Sequence, residues 1–163
     1  MRSSIMCMVL AMTSVLAWGN DTTRLQQKSI AEDSTAITLP TGFRAVVVAT
    51  NLGKARHLTV AANGDVFVKL EKLKNGKGIY RLHDANGDGK ADDINGFGNY
   101  VGTGITIRNG YLYASSNSEV FRYRIDEQQG KVDERSEQKI VTGLVDKGQH
   151  NSKSLALDNN GNI

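Results

Sequence analysis

His57-Leu-Thr-Val-Ala-Ala-Asn-Gly-Asp-Val-Phe-Val68 is the stretch on which the fold turns, because the sequence repeats its pattern twice more. The second copy is Gly104-Ile-Thr-Ile-Arg-Asn-Gly-Tyr-Leu-Tyr-Ala114, and the third is Ser154-Leu-Ala-Leu-Asp-Asn-Asn-Gly-Asn-Ile163. Each pairs an alternating apolar run (Leu58/Val60, Ile105/Ile107, Leu155/Leu157) with an Asn-Gly or Asn-Asn-Gly turn and the start of a second run (Val66/Val68, Leu112, Ile163). Alternation with a period of two on both sides of a turn that tolerates positive φ predicts a β-hairpin. The apolar runs recur after 47 and 50 residues, from Leu58 to Ile105 and from Ile105 to Leu155. No helix-period stretch lies between them, so the interval predicts four-stranded β-propeller blades rather than a helical repeat.

Working outward, 56–61, 64–70 and Gly78–Leu82 are expected as the first three strands of blade one. Lys69 to Lys77 is read as a solvated lysine-rich hairpin tip, with an anion site as the functional alternative. Blade two is expected to use 103–108, 110–115, Glu119–Ile125 and Gln138–Thr142, with Asp126–Glu137 as an exposed charged loop. Leu39-Pro-Thr-Gly-Phe43 turns the chain into the β-branched run Arg44–Ala49, expected as a leading strand. A propeller closes with roughly four or more blades. Two blades and the start of a third therefore predict the N-terminal part of a longer domain, residues 39–163.

Ahead of that domain, residues 1–19 have the pattern of a secretory signal: Arg2, an apolar run Ile5–Ala17, and small residues at Val15–Gly19. Residues 20–38 are polar and aperiodic, as in a disordered leader. The single cysteine, Cys7, falls inside the signal, so neither disulfides nor cysteine metal sites are expected in the mature chain. The formal charge of +3 falls to +2 with the loss of Arg2, too small a balance to point to nucleic acid. No apolar run long enough to span a membrane follows the signal. A periplasmic or secreted location is expected.

Asp84-Ala-Asn-Gly-Asp-Gly-Lys-Ala-Asp-Asp93 carries the most specific local motif. Asp84, Asn86, Asp88 and Asp92 occupy positions 1, 3, 5 and 9 of a calcium loop, Gly89 occupies the sharp turn, and Lys90 offers its carbonyl. Asn95 stands where the bidentate Glu of an EF-hand would be, which argues against flanking helices. An Asx-rich turn needing no metal is the alternative. In a calcium loop the carboxylates are expected to converge on one point.

His57 and His150 both stand just before inner strands, and residues entering those strands from different blades converge on one mouth of a propeller channel. Either imidazole could serve as a general base there, or cap a loop. His150 lies among Gln149, Asn151, Ser152 and Lys153, a polar setting suited to a site, whereas His83 next to the acidic loop is read as incidental.

Taken together, Ala55-Arg-His-Leu-Thr-Val, Asn63-Gly-Asp-Val-Phe-Val, the Asp84–Asp93 loop, Gly102-Thr-Gly-Ile-Thr-Ile, Glu119-Val-Phe-Arg-Tyr and His150-Asn-Ser-Lys-Ser-Leu-Ala-Leu resemble the glucose/sorbosone dehydrogenases. The resemblance runs from about Leu39 to Ile163. It implies a secreted six-bladed propeller that uses pyrroloquinoline quinone (PQQ) to oxidise a sugar hydroxyl or aldehyde. It also implies that His150, in a His-x-Ser-x-x-Leu setting, takes the substrate proton. Arg56, His57, Gln149 and Asn151 are then expected to bind substrate or cofactor. A non-catalytic propeller that binds a carbohydrate or protein partner, and a lactonase-like metal hydrolase, remain as alternatives. Acidic inner-strand mouths would mark the hydrolase and basic ones the quinoprotein.

Overall fold

The computed structural model describes residues 37–148 and 153–163. The segment expected as signal and nearly all of the expected leader, together with Gln149, His150, Asn151 and Ser152, lie outside the described residues. Among the described residues the ordered elements are all β: β1 (Ala55–Val60), β2 (Val66–Lys74), β3 (Lys77–His83), β4 (Asp93–Phe97), β5 (Ile105–Arg108), β6 (Tyr111–Ser115), β7 (Val120–Asp126) and β8 (Lys131–Val141). They form two antiparallel four-stranded meanders, β1-β2-β3-β4 and β5-β6-β7-β8. These are two propeller blades, and the first two copies of the repeat supply their inner hairpins.

The turns explain why the meanders form. Asn75-Gly76 and Asn109-Gly110 each hold two consecutive positive φ angles (49° and 74°; 50° and 75°). Each joins directly paired residues, Lys74 to Lys77 and Arg108 to Tyr111. That is the two-residue turn whose twist matches the strands it joins. The repeated Asn-Gly does not give one turn throughout. In the first copy a longer loop closes with Ala61 N–H to Asp65 O (2.9 Å) and Gly64 N–H to Ala61 O (3.0 Å). The third copy reproduces that loop, with Asp158 N–H to Asn162 O (3.1 Å) and Gly161 N–H to Asp158 O (3.3 Å).

Several boundaries differ from expectation. Lys69–Lys77 is not a loop: β2 runs on to Lys74 and only Asn75-Gly76 turns. Asp126–Glu137 is likewise mostly strand, and its turn is confined to Glu127–Gly130. The sequence does not mark strand β4, because Asn95-Gly96 interrupts its apolar pattern. Gly96 is needed there, since a Cβ would press into the Tyr80 ring. Arg44–Ala49 is not paired as a strand; one bond from Ala91 N–H to Val48 O (2.8 Å) ties it to blade one. In the third copy, Ser154–Leu157 joins no sheet among the described residues.

The core lies between the blades. Phe67, Ile79 and Phe97 of blade one meet Ile105, Leu112, Ala114, Phe121 and Tyr123 of blade two. Phe97 is central, edge-on to Phe67 at 6.4 Å and to Tyr123 at 5.4 Å. On the other face of blade one, Val68, Leu70, Tyr80 and Leu82 are covered by Ala49 and Leu52. An open groove of about 600 Å³ remains beside them, lined by Val47, Leu58, Val66 and Val68 among others.

Candidate functional site

The meander order puts the starts of β1 and β5, the Asn75-Gly76 turn and the 98–104 connection at one end of the blades, here termed the mouth. The β1–β2 turn and the Asp84–Asp92 loop lie at the other end. Six residues of β1 separate the two ends, about 20 Å at the rise of an extended strand.

At the mouth, β1 opens with an irregularity. Ala55 pairs with Leu70 and His57 with Lys69, so Arg56 is the extra residue of a bulge. Bulges re-aim side chains and are common beside active sites. Arg56 and His57 are both exposed. His57 Nδ1 lies 3.0 Å from the Thr103 carbonyl oxygen. A carbonyl only accepts, so in the neutral imidazole the proton sits on Nδ1 and Nε2 is left as an acceptor. The Thr103 hydroxyl itself is buried with no partner among the described residues. Ser115 donates from Oγ to Lys153 O (2.6 Å) and accepts from Gly104 N–H (2.9 Å). Lys153, the first described residue after His150, therefore sits at the mouth end of blade two. His150, Gln149 and Asn151 are outside the described residues, so their expected roles rest on sequence.

Lys69 is the mouth residue that sequence reasoning missed. Expected in a solvated loop, it is 0% exposed. Its Nζ donates to the Tyr100 carbonyl (2.8 Å) and lies 3.8 Å from the centre of the Tyr100 ring. That ring stacks on Phe121 at 4.2 Å. Burial pushes the Lys69 ammonium down from 10.5 to about 7. Gly78 makes room for this contact, because a Cβ there would run into the Tyr100 carbonyl. Tyr100 Oη is 3.0 Å from Tyr123 Oη, and Tyr123 donates to Glu137. Burial raises both phenol pKa values. An irregularity in β8 carries Glu137: between the pairs Arg122–Gln138 and Arg124–Asp133, β8 advances further than β7. The only sequence signal for Lys69 is its place in the alternation, in step with Phe67.

At the far end the acidic loop is built on Asp84, whose carboxylate accepts the N–H groups of Gly87, Asp88 (3.2 Å) and Gly89 (2.8 Å). Slight burial would raise its pKa, but these backbone donors outweigh it and hold Asp84 below the usual carboxylate value. Asp92 accepts from Ala85 N–H (2.9 Å), Asn86 N–H (3.2 Å) and the Asn86 amide (2.9 Å). Asp88 accepts from Lys90 N–H at 2.8 Å. Gly87 and Gly89 hold φ of 72° and 89°, which the sharp turn requires. The carboxylates do not converge on one point as expected. Each turns to nearby N–H groups, and among the described residues no three His, Cys, Asp or Glu side chains gather as a metal cluster.

Beside this loop His83 is not incidental. Its Nδ1 is 2.6 Å from Asp65 Oδ1, while Arg81 Nε donates to Asp65 Oδ2 at 2.5 Å. Arg81 also donates to Gln129 O (3.2 Å), so Asp65 anchors a polar clasp from blade one to the β7–β8 turn of blade two. Burial would raise the Asp65 pKa, but hydrogen bonds from His83, Asn63 and Arg81 bring it below its ordinary value.

Residues 37–162 match the TrAA12-like family. A search of curated proteins found no match to the sequence. Among solved structures, the chain resembles the PQQ domain of pyranose dehydrogenase from Coprinopsis cinerea in its holo form. The TM-score is 0.64 at 18% identity, over 80% of this chain and 31% of that one. Two structures of a Trichoderma reesei Carbohydrate-Active Enzymes Family AA12 protein, one a calcium and one an iodide structure, match at 24% identity. Their TM-scores are 0.54 and 0.55, over 69% and 71% of this chain and 28% and 29% of theirs. At these identities the likeness is one of fold, and the chain spans about three tenths of each neighbour's length.

Proposed function

The chain belongs to the TrAA12-like family, and on that premise we propose that the protein is a secreted or periplasmic quinoprotein that oxidises a hydroxyl or aldehyde of a sugar. Family membership over residues 37–162 is the observation that carries this reading. The Coprinopsis neighbour, described as a PQQ domain of a pyranose dehydrogenase, supports the cofactor and the substrate class. The apolar segment ahead of residue 20 supports export, and no helix among the described residues is long and apolar enough to cross a membrane. Residues 39–163 form the first blades of the domain in this reading, with 1–19 as signal and 20–38 as leader.

At the mouth the exposed cationic Arg56 on its bulge suits an anionic guest, and the His57 acceptor nitrogen suits a hydroxyl. When bound, PQQ supplies a quinone that accepts a hydride. In this reading Arg56, Gln149 and Asn151 would bind substrate or cofactor, by charge or hydrogen bonds. His150 takes the proton of the substrate hydroxyl, and His57 orients the sugar by accepting from a second hydroxyl.

Calcium at Asp84, Asn86, Asp88, the Lys90 carbonyl and Asp92 would require these side chains to turn from the N–H groups they hold toward one point. The oxygen-only donor set and the Gly89-to-Asp84 bond that folds the loop support it, as does the calcium structure among the neighbours. An ion there would lie a strand's length from the mouth and act on the fold rather than on the sugar.

The test is turnover of the full-length protein, loaded with PQQ, on a panel of aldoses with an artificial electron acceptor. His150→Ala should reduce turnover by roughly a hundredfold or more, the contribution of a general base, while PQQ binding is kept. Unchanged turnover in an active enzyme would remove His150 from the chemistry. Failure of the protein to bind PQQ would overturn the quinoprotein reading.

A further inference from the structure

Lys69 and His57 are directly paired across β1 and β2, so their side chains leave the same face of blade one, toward blade two. Each is tied to the connection between the blades. Lys69 reaches forward to the Tyr100 carbonyl, and His57 meets the Thr103 carbonyl three residues on. Between these points Gly102 N–H bonds to Leu70 O (3.3 Å), next to Lys69 on the same strand. Residues 100–103 thus form a strap across the top of blade one, pinned at its start by a buried ammonium or amine and ending on the imidazole. The Tyr100 ring, wedged between Lys69 and Phe121, anchors the start of the strap against blade two.

We infer that Lys69 is a positioning residue for the mouth: by holding the Tyr100 carbonyl it fixes the strap, whose Thr103 carbonyl keeps the His57 proton on Nδ1 and presents Nε2 as an acceptor for a ligand hydroxyl. Free histidine in water favours the opposite tautomer, so the preference has to be imposed by a fixed acceptor. A carbonyl on a loose connection would impose it only part of the time. The inference deepens the sugar-binding role given to His57 and rests on that reading for the identity of the ligand. The tautomer and its cause are independent of it.

The test is a two-bond proton–nitrogen NMR spectrum of the imidazole side chains of the full-length protein, with the His57 signals assigned through His57→Gln. Unsubstituted protein should show His57 protonated at Nδ1. Lys69→Met, which replaces a buried amine with an apolar chain of similar length and should fold, should convert most of that signal to the Nε2-protonated form. Lys69→Gln, which keeps a donor on a shorter stem, provides a second variant and should give a mixture. His57 protonated at Nε2 in the unsubstituted protein overturns the inference, as does an unchanged Nδ1 proton in both variants. In active enzyme, Lys69→Met should raise KM for the sugar roughly three- to tenfold, the weight of one hydrogen bond, with kcat changed far less. An unchanged KM overturns the ligand-presenting part. A protein that neither binds nor oxidises any sugar, yet shows the tautomer shift, instead refutes the proposed activity.

Discussion

Replacing Lys69 by Met should change how stability depends on pH, by an amount that follows from the site. In the folded chain the Lys69 side chain is 0% exposed and loses its proton near pH 7, against 10.5 when unfolded. Between those values the unfolded state holds more protons than the folded state, so stability rises with pH across that window. Integrated from about pH 7 to about pH 9.5, the two pKa values give a gain of about 3 kcal/mol. Other groups bound the window. Tyr100 and Tyr123 have pKa values raised by burial, so above about pH 10 the unfolded state gives up protons that the folded state keeps, and stability falls again. Urea denaturation followed by circular dichroism at half-unit steps from pH 7 to pH 9.5 reads the slope directly. Lys69→Met should remove most of the rise, so that the two proteins differ by about 3 kcal/mol more at the alkaline end than at neutrality. Parallel profiles would refute the reasoning, because they would mean that Lys69 keeps its proton in the fold or reaches water.

Phe97→Ala should destabilise the protein by about 3–5 kcal/mol, as for a large aromatic removed from a packed core, read from the same urea transitions; a change under 1 kcal/mol would show that the blades do not meet there. Asp65→Asn should cost about 1.5–3 kcal/mol at neutral pH by weakening the bonds from Arg81 and His83. Since the folded Asp65 pKa is depressed, that contribution is present above the ordinary aspartate range and lost on acidification, so the two proteins should converge toward low pH. Titration calorimetry should show calcium binding that Asp84→Ala and Asp88→Ala each abolish; equal heats in all three proteins would leave the loop as an Asx turn.

The inner hairpins were legible in the sequence because their causes are local. Asn-Gly accepts positive φ with little strain, and the alternation of Leu58/Val60 or Ile105/Ile107 marks a strand, although only Ile105 of these four is buried and Leu58 and Val60 stay exposed. The acidic loop was legible for the same reason, since Gly89 and the spaced oxygens act within a few residues of backbone. Strand β4 was not, because its Gly96 answers to Tyr80 on the neighbouring strand rather than to its own sequence neighbours. Nor was the inner end of β8, where the irregularity that brings Glu137 to Tyr123 depends on the register with β7. Lys69 marks the division most clearly. By composition it belongs to a lysine-rich run. Only the covering of β2 by the inter-blade connection and blade two decides that this lysine is buried while Glu71, Lys72 and Leu73 stay exposed. Likewise, sequence placed a histidine at the head of β1, but the carbonyl that fixes its tautomer comes from Thr103, a residue far along the chain. Turn chemistry and alternation are properties of neighbours in sequence; burial, protonation state and the separation of the mouth from the acidic loop depend on which surfaces packing brings together.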